Sequence, residues 1–69
     1  MENVVLRVEG MSCEHCVKTV TNAVGAINGV SSVIVDLDGK TVTVEHDPGN
    51  ATIERIKAEI EEQGYDVVG

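Results

Sequence analysis

The spacing of apolar residues changes period in an order that limits the folds open to this chain. Val4, Leu6 and Val8 alternate with Val5, Arg7 and Glu9, the period of a strand with one buried face. Val17, Val20, Val24 and Ile27 then recur at steps of three and four, the inner stripe of a helix that stops near Asn28-Gly29. Val33, Val35 and Leu37 alternate again, Asp38-Gly39 reads as the two-residue turn of a hairpin, and Val42 and Val44 continue on the returning strand. Asp47-Pro48-Gly49-Asn50 breaks that pattern. Thr52 or Asn50 can cap a second helix with Ile53, Ile56 and Ile60 inside, Gly64 ends it, and Tyr65 to Val68 forms a last short strand.

Strand, helix, strand, strand, helix, strand is the split βαβ order. It predicts an α+β, ferredoxin-like βαββαβ sandwich, one antiparallel four-stranded sheet with two helices on one face. The 69 residues leave room for a single domain, 1–69, near the size at which one core only just suffices. With no Trp, no Phe and one Tyr, that core must be built from many small aliphatic side chains, mainly Val and Ile.

Charge and hydropathy then narrow the function. Twelve acids against five bases give a formal charge of −7, which opposes binding to a phosphate backbone or an anionic membrane, so neither nucleic acid nor membrane is expected as a partner. The cysteine-bearing part is the neutral one: residues 1–35 hold three acids and two bases, residues 36–69 nine acids and three bases. No run of apolar residues exceeds three, so neither a signal peptide nor a membrane span is read, and a cytoplasmic protein is expected.

Within "GMSCEHC", Gly10 to Cys16, lie the only two cysteines, Cys13 and Cys16. So close together they cannot staple distant segments, which points away from a disulfide framework and toward a reducing compartment. Their turn lies between a strand end and a helix start. There the open N–H groups and the helix dipole favour thiolate, the form that binds metal or attacks disulfides, while Glu14 and the neighbouring thiolate oppose it. Two thiolates one turn apart suit a soft ion of low coordination number such as copper(I), and they are too few for a structural zinc site. Thiol–disulfide exchange uses the same spacing and stays open, although the chain lacks both an aromatic beside Cys13 and a proline between the cysteines. Two surface thiols without a task are the third reading.

"GMSCEHC" after a strand, "GV" at Gly29-Val30, the "VIVDL" strand and "GYDV" from Gly64 to Val67 resemble the heavy-metal-associated domain family, over about Val4 to Val67. His15 between the cysteines and Tyr65 after the second helix make the chain most similar to the family's bacterial stand-alone copper(I) chaperones. The resemblance implies the same fold and a non-enzymatic role: one copper(I) ion, held by Cys13 and Cys16, passed by ligand exchange to a copper-transporting P-type ATPase metal-binding module. A copper-sensing repressor is a second implied recipient. A module excised from such an ATPase is the alternative, and a small thiol–disulfide redox protein the next. Relatives handle mercury or zinc with the same pair, so the resemblance leaves the ion open.

Carried over residue by residue, Tyr65 falls where the family shields or tunes the site and Met11 where the loop is anchored to the core. His15 is a candidate for ligation, tuning or partner contact. Lys18, one turn into the helix, is a candidate for neutralising a bis-thiolate complex of charge −1. His46, at a strand end beside Asp47, is assigned no role. A two-coordinate ion leaves space for a third thiolate, so a monomer without metal and a copper-bridged homodimer at high protein concentration are expected.

Overall fold

The computed structural model describes residues 1–68. Strand β1 spans Glu2–Glu9, helix α1 Glu14–Gly25, β2 Val30–Asp36, β3 Thr41–His46, α2 Ile53–Glu62 and β4 Asp66–Val67. The sheet has the order β2-β3-β1-β4 with every pair antiparallel. Each βαβ half is therefore split by a strand from the other half, as the period changes predict.

Register follows from side-chain parity. Val4 lies opposite Val44 and Leu6 opposite Val42, so the aliphatic members of β1 and β3 share the face that the helices cover. Leu6, Val8, Val42 and Val44 are buried there against Val20 and Val24 of α1 and Ile56 and Ile60 of α2. Each such side chain contributes roughly 1.5–3 kcal/mol when fully removed from water. In β2 a bulge lets Ser32, not Ser31, pair with Glu45; the extra residue allows both Val30 and Val33 to pack on the core despite their odd spacing. The Ser31 hydroxyl donates to the Glu45 carboxylate at 3.0 Å.

Several boundaries differ from expectation. Helix α1 stops at Gly25, and Ile27 is buried from the turn beyond it, because the chain must descend to Gly29 before entering β2. The hairpin uses four residues, Leu37 to Lys40, instead of a two-residue Asp38-Gly39 turn. The Asp36 carboxylate accepts the Gly39 N–H at 3.0 Å, and Lys40 takes the positive φ of 56°. Of the alternative caps, Thr52 is the one used: its hydroxyl accepts the Arg55 N–H at 3.1 Å, while the Asn50 amide is committed to Asp47. Ile53 is exposed, being too early in α2 to reach the core, and β4 is only two residues long. Gly64 ends α2 as read, with φ +98° and its N–H on the Glu61 carbonyl.

At the end of the sheet where Glu2, His46 and Val30 are paired, His46 is buried and its Nδ1 lies 2.6 Å from the Ala51 carbonyl. A carbonyl only accepts, so Nδ1 carries the proton. His46 thus ties the end of β3 to the segment entering α2. Its inward parity with Val42 and Val44 was the available signal, and reading it only for function missed that structural part.

Candidate metal centre

The opposite end of the sheet carries the cysteines. After Glu9 the chain turns at Gly10, whose φ of +99° a side chain would resist. A Cβ there would also stand 3.4 Å from the Tyr65 ring. Met11 then folds into the core and is buried among its side chains. With both flanks fixed, Ser12 and Cys13 are held over the start of α1.

Cys13 is the N-cap residue of α1, extended at φ −156° and ψ 171°, and its side chain makes no capping hydrogen bond. Its carbonyl opens the helix by accepting the Val17 N–H at 3.2 Å. A Ser or Asp here would turn its oxygen onto the first-turn N–H groups; the thiol leaves them facing the site. Cys16 lies in the first turn, half-buried against the core, while Cys13 is exposed. The two Sγ atoms are 3.6 Å apart. Sulfurs bound to one ion at about 2.3 Å stand at most about 4.6 Å apart, so small thiol rotations place both on a single metal. Among the described residues no cluster of three or more His, Cys, Asp or Glu converges to hold an ion, so one chain offers this pair alone.

The Cys16 thiol is lowered from 9.0 to about 6. The largest cause is a backbone hydrogen bond from Ser12, followed by the Tyr65 hydroxyl and the Cys13 thiol; partial burial opposes them. The hydrogen bond with Cys13 favours the Cys16 thiolate, and Glu14 is not among the causes. The strongest contribution comes from the loop amide of Ser12, ahead of the helix. Tyr65 shows the reciprocal effect: its phenol is raised, first by its hydrogen bond to Cys16, while Thr19 lowers it. Tyr65 is packed against the core, and its hydroxyl is among the causes that lower Cys16.

The remaining candidates are not gathered onto the sulfurs. His15 is exposed and its ring makes no hydrogen bond among the described residues; only its carbonyl is engaged, by the Thr19 hydroxyl at 2.9 Å. Lys18 is exposed and forms no ion pair among the described residues. Thr19 is the residue that the sequence reading missed, and its place one helical turn after His15 was the only signal for it.

These contacts predict a pH dependence. Because the Cys16 pKa is lowered, its thiolate predominates above about pH 6, and alkylation of Cys16 in the Cys13→Ser protein should already be close to its plateau rate at pH 7.5. Tyr65→Phe then removes a donor, so the half-point should move upward. Iodoacetamide rate profiles with and without Tyr65→Phe check this; coincident profiles would refute the contact.

Comparison with known proteins places this geometry. Residues 5–66 match the heavy-metal-associated domain. The "Copper chaperone CopZ" of Staphylococcus haemolyticus is 49% identical over 67 residues, covering 97% of this chain and 98% of the relative. A solved "CopZ metallochaperone" superposes with TM-score 0.95 at 43% identity over 97% of this chain and 100% of its own. The water-soluble region of the P-type ATPase CopA from Bacillus subtilis gives TM-score 0.92 at 31% identity, over 97% of this chain and 44% of that one. The chain belongs to the heavy-metal-associated domain family.

Proposed function

We propose that this chain is a copper(I) metallochaperone that binds one ion through Cys13 and Cys16 and passes it to a P-type ATPase metal-binding module in the cytoplasm. The observation that carries the reading is the thiol pair, 3.6 Å apart at a helix start, with Cys16 held toward thiolate. Relatives matched over nearly their whole length are named copper chaperones, which supports the role.

Copper(I) accepts two or three sulfurs without changing oxidation state. A partner thiolate joins the ion, a three-coordinate species forms, and one thiolate of this chain leaves and takes up a proton as the incoming thiol has lost one. Cys13, the more exposed sulfur, is the first to go; Cys16, backed by Ser12 and Tyr65, follows. Nothing is oxidised or reduced, so the protein carries its cargo without catalysing a reaction. The ATPase region with the same fold offers the matching recipient, and a copper-sensing repressor is a further one. The same openness lets one ion bridge two copies at high concentration.

Anaerobic titration of the reduced protein with copper(I) against a chromophoric chelator tests the reading. Tight uptake of one ion per chain, or per two chains, is the expected result. Absence of competitive uptake would remove it, and catalytic reduction of insulin disulfides without copper would put the redox reading in its place.

A further inference from the structure

The sheet face turned away from the helices has no cover, and the register fixes which side chains stand side by side on it. Across β2, β3 and β1 the rows run Asp36–Thr41–Arg7, then Ile34–Thr43–Val5, with Ser32–Glu45 and Asn3–Glu45 forming the third. Ile34 and Val5 are 63% and 60% exposed, two aliphatic side chains in one row of a face that an antiparallel sheet ordinarily fills with polar residues. Arg7 has no ion-pair partner among the described residues.

We propose that a second copy of this chain docks on this face, sheet on sheet, about a twofold axis running along β3. Such an axis lays β2 of one copy over β1 of the other with the rows in step. Ile34 meets the second copy's Val5, and Asp36, exposed with one carboxylate oxygen on the Gly39 N–H, turns the other toward the second copy's Arg7; each contact occurs twice, and Thr43 meets its own equivalent on the axis. The other twofold, perpendicular to the strands, would set Asp36 over Ser32 and Arg7 over Asn3 and leave both charges unmatched. Charge complementarity therefore selects one occupant and one orientation. Glu45 faces its equivalent at the rim, where its carboxylate is exposed and engaged by Ser31.

The association is weak. A stable interface buries about 800 Å² per partner, a fifth of this chain's 4092 Å² surface, and three short rows supply less. Because the axis parallels β1, both cysteine loops emerge at the same end of the pair, and metal is not required, so the metal-free monomer expected from the sequence would hold only at low concentration. The inference is independent of the copper role proposed above.

The test uses reduced, metal-free protein, followed by sedimentation equilibrium and by backbone amide shifts from about 0.05 to about 2 mM, the range in which a contact below standard interface size populates. Mass should rise with concentration, with shifts centred on Val5, Arg7, Ile34, Asp36 and Thr43. Arg7→Asp opposes two carboxylates and should weaken association at least about tenfold. Ile34→Lys, which leaves the hairpin turn intact, should abolish it. A constant monomer mass, shifts mapping to the cysteine loop, or an Arg7→Asp chain that associates as well as the original would each overturn the proposal.

Discussion

Cys16→Ser should lower copper(I) affinity by about a thousandfold or more, because a soft ion held by two sulfurs keeps only one strong bond. Cys13→Ser should do the same, since no cluster of three or more ligating side chains converges to replace a sulfur among the described residues. The fold should survive both changes. Cys13 is exposed, Cys16 is only half-buried, and serine is close in size to cysteine. Competition against a chelator gives the affinities, and far-ultraviolet circular dichroism shows the fold. A Cys13→Ser protein that keeps its affinity within tenfold would mean that the ion does not need both thiolates.

The second large effect lies at the other end of the molecule and concerns stability. Gly29 has φ +101°, and a Cβ there would stand 2.7 Å from Asn50 Cβ and 3.1 Å from the Ala51 backbone nitrogen. The Gly29 carbonyl also accepts the Asp47 N–H at 2.7 Å, so the two segments cannot separate freely. Gly29→Ala combines backbone strain with a clash and should cost about 3 kcal/mol. In a chain of this size that lowers Tm by roughly 12–24 °C, measurable by thermal unfolding. Copper binding well below the transition should be unaffected, because Gly29 precedes the sheet end paired with His46 and Glu2, away from the thiols. A fall of less than 2 °C would mean that the segments part cheaply.

Gly29 also illustrates what the sequence made legible. Its "GV" motif entered through family likeness; the structure supplies the reason, a close crossing of the α1–β2 and β3–α2 connections. The six elements were readable because period two and period 3.6 place aliphatic side chains on one face, which burial enforces. Boundaries were less readable where local chemistry competes with period. Leu37 continues the β2 alternation, yet the Asp36 carboxylate captures Gly39 and the turn widens. Ile53 fits the helical stripe but stands one turn too early to be covered. The cysteine pair announced itself by spacing. The source of Cys16's acidity did not, since it depends on the Ser12 amide and on a phenol brought from the far end of the sequence.

That phenol gives the chain a timing. Tyr65 follows Cys16 by 49 positions, so at ordinary rates of synthesis it is added roughly 3–10 s later. Until then the emerging polypeptide has both sulfurs but neither the Tyr65 hydroxyl nor the ring that rests against Gly10. Until β4 pairs with the first strand, Cys16 has only the loop amides and the Cys13 thiol to hold it toward thiolate.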